Sequence, residues 1–126
     1  MQKRSRQSSE SFGRWAETYA AIYLRICGYK ILARREKTPF GEIDLIARKA
    51  GLLVFIEVKY RRDKAALTTS LSPQNQQRIV KAAHYLTSRT PKFQTMNQRF
   101  DLVFTAPLGP FPLGYMDHLK DAFRPY

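Results

Sequence analysis

Gly41-Glu42-Ile43-Asp44-Leu45-Ile46-Ala47 and Val54-Phe55-Ile56-Glu57-Val58-Lys59 are two apolar β-type runs that carry an aspartate, a glutamate and a lysine. Side chains two apart on a strand share a face, so Glu57 and Lys59 point the same way. A two-residue Ala50-Gly51 turn between the runs makes residues whose numbers sum to 101 face each other. Asp44 then stands opposite Glu57, and Glu42 opposite Lys59. Like charges directly across a ladder destabilise it unless something partners them. The pair therefore points to a bound cation.

The faces of this hairpin sharpen the reading. Ile43, Leu45 and Ala47 face Leu52, Val54, Ile56 and Val58 on one side. The other side carries Ile46, Leu53 and Phe55 near the turn, then Glu42, Asp44, Glu57 and Lys59 at the open end. Strands that are apolar on both faces sit centrally in a covered sheet. The charges thus lie at one end of a rigid scaffold, beside a core. The competing account is a salt-bridge lattice, in which Glu57 and Glu42 pair with Lys59 and nearby arginines.

The length of 126 residues suits one domain, burying about two thirds of the surface that the unfolded chain exposes. Lys and Arg number 22 against 10 Asp and Glu, a net charge of +12, which calls for a polyanionic partner. Nucleic acid leads, DNA first. A membrane partner is not expected, because no basic amphipathic helix has a clean apolar face and no stretch approaches spanning length. The single cysteine, Cys27, excludes a disulfide framework or a thiolate zinc cluster. It is expected to pack as a small apolar residue at the end of the first helix. His84 and His118 have no metal-motif context and read as surface or packing residues. Residues 1–10 lack the apolar segment of a secretory signal, so a reducing, cytoplasmic location is expected.

Those ten residues are polar, basic and serine-rich and read as a disordered arm before an α/β domain over residues 11–126. Phe12, Trp15, Tyr19, Ile22, Tyr23 and Ile26 recur at helical spacing before Gly28 and are assigned to packing against the sheet. Glu17 stands on a neighbouring face among Gly13, Ala20, Ala21 and Leu24, either solvated or as a third carboxylate above the pair. Residues 29–35 form a first strand, followed by the hairpin over residues 42–48 and 52–60 and the charged run Arg61-Arg62-Asp63-Lys64. Ser72-Pro73 starts a helix, with serine as N-cap and proline in the first turn, and Thr90-Pro91 ends it. Ile79, Ala82, Ala83 and Leu86 form its inner side. Arg78, Lys81, Tyr85 and Arg89 form a basic stripe that suits a phosphate backbone as well as it suits plain solvent. Residues 99–105 read as a buried strand, 107–112 as a loop and 115–123 as a short element of undefined type. This order fits an α/β sandwich, a central mixed β-sheet flanked by helices.

Mg2+ or Mn2+ takes oxygen ligands and keeps waters, so one or two carboxylates suffice to hold it. Asp44 and Glu57 meet that demand, with Glu17 as a third ligand. A metal bridging a phosphate polarises it, orients a water and offsets developing charge. Lys59 adds a fixed positive charge, a kind of electrostatic contribution commonly worth a few kcal/mol. Phosphodiester hydrolysis is the reaction these residues suit. Gln76 is placed to bond a phosphate or the water, and Arg14, Arg61, Arg62, Arg78, Lys81 and Arg89 are the candidate backbone contacts.

Asp44, twelve intervening residues, then Glu57-x-Lys59 resembles the active-site core of PD-(D/E)xK nucleases. With Gly13-Arg14-x-Ala16-Glu17, GEIDLIA (41–47), VFIEVKYRR (54–62), RFDLV (99–103) and KDAF (120–123), nearly all of the chain after residue 10 resembles the YraN-like family. The literal Pro-Asp is absent, since Ile43 precedes Asp44, at a position that varies widely in that superfamily. The resemblance implies a restriction-endonuclease-like fold, endonuclease character and a distant likeness to archaeal Holliday-junction resolvases. It implies Asp44 and Glu57 as catalytic acids, Lys59 as catalytic lysine, Glu17 as the helical acid, and a loosely defined role for Gln76. By analogy with resolvases it also implies a symmetric homodimer. The expectation is a Mg2+- or Mn2+-dependent endonuclease acting on branched or structured DNA. The alternative is a non-catalytic nucleic-acid-binding protein that keeps the fold, because fold and motif do not by themselves establish activity.

Overall fold

Helical periodicity at each end of a strand-rich middle folds, in the computed structural model, into α1 (Gln2–Ile26), β1 (Lys30–Thr38), β2 (Gly41–Lys49), β3 (Leu52–Tyr60), α2 (Pro73–Arg89), a 3-10 turn (Pro91–Phe93), β4 (Asn97–Leu108) and β5 (Phe111–Phe123). The structure describes residues 2–61 and 71–125. The sheet runs β1-β2-β3-β4-β5. All neighbours are antiparallel except β3 and β4, whose parallel pairing needs a crossover that α2 supplies. The result is the expected mixed sheet in a single α/β domain, with one helix on each face. No helix among the described residues is long and apolar enough to cross a membrane.

On the α2 side, Ile79, Ala82, Ala83 and Leu86 pack on Ile43, Ile46, Leu53, Phe55, Phe100 and Phe123. Phe100 stacks between Phe55 and Phe123, with centroids 5.5 and 5.2 Å away. The Ser72 hydroxyl accepts from the Asn75 amide at 3.2 Å and so caps α2. Ser72→Ala is expected to cost about 1 kcal/mol, read as a lower urea midpoint at unchanged slope.

On the other face α1 departs from expectation in two ways. It begins at Gln2, inside the stretch where composition suggests an arm; Lys, Arg, Gln and Glu are good helix formers, and neither Gly nor Pro intervenes before Gly13. Its buried side is Ala16, Ala20, Ala21 and Leu24, while Trp15, Ile22 and Ile26 are 63%, 48% and 80% exposed. Small side chains let the helix settle closely on Leu45, Ala47, Val54 and Ile56, with Tyr23 packed at the margin and Trp15, Ile22 and Ile26 turned outward. Gly28 at φ +96 ends the helix in a Schellman arrangement, its amide bonding to Arg25 O and that of Tyr29 to Leu24 O. Cys27 beside it is exposed rather than packed.

The last two strands are longer than the pattern suggests. β4 continues through Pro107 to Leu108, and the 115–123 element is part of β5. Pro107 falls where the ladder shifts register, between Ala106 and Leu108, so its missing N–H breaks no regular pair.

Candidate active site at the open end of the central hairpin

β2 and β3 pair from Lys49–Leu52 to Leu45–Ile56, the register that the Ala50-Gly51 turn dictates. Past Ile56 a side chain takes over. Asp44 Oδ2 accepts from the Val58 amide at 2.8 Å. The Asp44 and Glu57 carboxyls therefore interact at the point where backbone pairing gives way. Burial first, then the neighbouring Glu57 carboxyl, pushes Asp44 up to about 8, against the Val58 amide and Lys59. At neutral pH the Asp44 carboxyl therefore holds a proton.

Glu57 is 6% exposed. Its Oε2 lies 3.7 Å from Lys59 Nζ and 3.2 Å from Arg78 Nη2. The same guanidinium donates through Nη1 to the Glu42 carbonyl at 3.0 Å. Lys59 thus faces Glu57 from two residues along the strand, as expected. Glu42 meets the site through its backbone, not through a pairing with Lys59.

The strand faces also change here. Ile43 packs with Ile46 on the α2 side instead of with Leu45 and Ala47. In β1, Arg34 pairs with Leu45 and Glu36 with Ile43, and Arg35 between them takes φ +50. A non-glycine residue in the left-handed region costs about 1–3 kcal/mol. Arg35 Nε meets Glu17 Oε1 on α1 at 2.6 Å. Burial pushes the Glu17 carboxyl up, and the Asp44 charge acts in the same direction, against the Arg35 hydrogen bond. Glu17 is therefore within electrostatic reach of Asp44 but engaged by Arg35. Among the described residues no three of His, Cys, Asp and Glu form a ligand cluster.

The remaining candidates lie at varied distances. Arg61 is exposed just past β3, its amide bonded to Thr105 O, whereas Arg62 falls outside the described residues. Arg14 and Lys81 are exposed. Arg89 sits over the Tyr85 ring at 4.4 Å, about 16 Å along the helix from Arg78 at 1.5 Å per residue. Gln76 donates to the Leu71 carbonyl at 2.9 Å. With Lys81, Pro73, Val80 and Arg124 it borders a cleft of about 440 Å³ that neither Asp44 nor Glu57 lines.

Sequence reasoning does not single out Arg35 or Gly41. The two-residue Pro39-Phe40 connection pairs Thr38 with Gly41, and the same register carried onward sets Arg35 against Asp44, a signal present in the sequence. Gly41, at φ +114, leaves room for Arg78: a Cβ there would stand 2.8 Å from Nη1.

A buried and a half-buried carboxyl set side by side are a donor set that suits a hard divalent cation, which would offset the repulsion between them once both are ionised. The proton at Asp44 has a consequence for folding. Between about pH 4 and pH 8 the unfolded chain has released a proton that the folded chain still holds, so the contribution of this group to stability falls as pH rises. Asp44→Asn keeps the shape but cannot ionise. It is expected to gain stability over the wild type progressively from about pH 5 to pH 8 in urea unfolding. A pH-independent difference would contradict the proton held at Asp44.

A family model described as Uncharacterised protein family UPF0102 matches residues 16–105, taking in Glu17, the hairpin, α2 and most of β4. The chain belongs to the UPF0102 family. A UPF0102 protein of Parvibaculum lavamentivorans is 43% identical over 110 residues, 87% of this chain and 79% of that one. A UPF0102 protein of Rhodopseudomonas palustris strain BisA53 is 48% identical over 92 residues, 73% and 71% of the two chains. One from Mesorhizobium japonicum is 43% identical over 103 residues, 82% of each. UPF0102 membership bears out the YraN-like resemblance, and the matched span contains Asp44, Glu57, Lys59 and Arg78.

Proposed function

We propose that this UPF0102 chain is a Mg2+- or Mn2+-dependent endonuclease of the PD-(D/E)xK kind, hydrolysing phosphodiester bonds in branched or otherwise structured DNA. The observation that carries the reading is the Asp44–Glu57 carboxyl pair at the open end of the hairpin, with Lys59 against Glu57. Bound there, the metal supplies polarisation of the scissile phosphate and a more acidic water. Asp44 and Glu57 would hold it, Asp44 giving up its proton. Lys59 places a positive charge where negative charge develops on the phosphoryl oxygens. Glu17 holds Arg35 beside the pair. Arg61, Arg62 and the wider +12 charge bind the DNA backbone. A symmetric dimer would present two such sites to the two strands of a branched substrate.

The test is cleavage of labelled linear, flapped and four-way-junction DNA with magnesium, with manganese and with chelator. Metal-dependent cutting, strongest on a branched substrate, is the expected result. Binding without cutting in any metal would favour the second reading, a nucleic-acid-binding protein without catalysis. The ion pairs of Glu57 with Arg78 and Lys59 are what that reading would expect of a structural charge cluster.

A further inference from the structure

Two cationic side chains share one oxygen, Glu57 Oε2, and they are held differently. Lys59 approaches to 3.7 Å. Arg78 is nearer, at 3.2 Å through Nη2, and is tethered at its other corner by the Nη1 bond to the Glu42 carbonyl. Its position is built in by the chain on both sides. Gly41 leaves the space that Nη1 fills, and the next residue on α2, Ile79, is buried in the core. The Arg78 side chain is nonetheless 33% exposed, so solvent reaches it while Nη2 is on the acid and Nη1 on the Glu42 carbonyl.

We propose that Arg78 is a positioning residue that couples cation binding to phosphate binding at this site. It holds Glu57 Oε2 until a divalent cation takes that oxygen. Still tethered to Glu42, it then turns the released edge to a phosphate oxygen of the nucleic acid. The inference rests on the metal-dependent reading of the site. A cation at Glu57 competes with the guanidinium for the same oxygen and repels it at short range. A guanidinium fork fits a phosphate as well as a carboxylate, so the released edge has a partner when DNA is present. The two ligands therefore strengthen each other, by the same factor in each direction.

The experiment measures Mn2+ binding without DNA by calorimetric titration, for wild type, Arg78→Ala, Arg78→Lys and Glu57→Ala. Affinity for a short four-way junction is measured alongside, with and without Ca2+, and melting curves establish that each variant is folded. Arg78→Ala is expected to bind Mn2+ about 3- to 10-fold more tightly, the range of a partly exposed ion pair removed from competition. Its junction affinity should no longer respond to Ca2+, Arg78→Lys should fall between, and Glu57→Ala should lose the Mn2+ site. Unchanged or weaker Mn2+ binding in both folded Arg78 variants overturns the proposal, as does a wild type that binds no Mn2+. If the Mn2+ shift and the coupling occur but DNA is never cut, the coupling stands and the nuclease reading falls. Cutting by a wild type whose Mn2+ affinity ignores Arg78 keeps the nuclease reading and removes the coupling.

Discussion

Glu57→Ala is expected to lower metal-dependent DNA cleavage by about 10²–10⁴-fold while leaving the fold intact. The lower bound corresponds to losing one preorganised electrostatic group, the upper to losing the metal's contribution altogether. The fold should survive because Glu57 lies at the open end of the hairpin, beyond the last Leu45–Ile56 backbone pair, and because its removal takes away one of the causes, after burial, that push Asp44 up. The cost falls on Arg78 and Lys59, each partly exposed and able to turn to water. Glu57→Gln separates charge from shape, since it retains a side chain able to bond Asp44. Comparable loss in both variants, measured on a labelled four-way junction with magnesium and manganese, assigns the effect to the charge. Wild-type cutting rates in a folded Glu57→Ala would remove Glu57 from the chemistry.

The largest effect on stability is expected elsewhere, at Asp101. This carboxylate is fully buried beneath α1 and accepts four hydrogen bonds: two from Arg99 at 2.8 Å, one from His118 Nε2 at 2.7 Å and one from the Asp121 amide at 3.0 Å. Arg99 in turn donates to the Tyr29 hydroxyl, so the cluster ties β4 and β5 to the end of α1. Burial acts against ionisation, but the His118, Arg99 and Asp121 hydrogen bonds hold the carboxyl below its usual range. Its stabilisation is therefore present above about pH 4 and lost as the medium is acidified. Asp101→Ala strands Arg99 and is expected to cost about 3–5 kcal/mol, a shift of about 10–20 °C in melting temperature for a domain of this size. A loss under about 1 kcal/mol in calorimetry would show the cluster to be incidental.

The turn-proximal half of the hairpin is legible in the sequence because the two-residue Ala50-Gly51 turn fixes β2 against β3 from Lys49–Leu52 to Leu45–Ile56. α2 is legible because Ser72, Pro73 and its inner apolar residues all agree. The faces of α1 mislead because hydrophobic size is a poor guide where close approach decides packing. There the helix buries alanines and exposes Trp15 and Ile26. β5 is obscured because an edge strand carrying Gly114, Asp117 and Lys120 shows no clean alternation. At the site, Lys59 can be placed beside Glu57 from strand periodicity alone, whereas Asp44 lies where the ladder ends and the face changes at Ile43. The approach of Arg78 to Glu57 cannot be placed in this way, because the two residues are joined through the crossover that leads from β3 into α2.

The alanine underside of α1 also sets a distance. Ala16, Ala20 and Ala21 are at most 1% exposed and hold the helix against the sheet, and Glu17 rides on that same helix. Enlarging one of these methyls, as in Ala20→Val, would overpack the layer at a typical cost of about 1–3 kcal/mol. The helix would respond as a lever, moving Glu17 relative to Asp44 and to Arg35, which sits on β1. In this chain the distance between Glu17 and Asp44 is thus set by side chains that carry no charge.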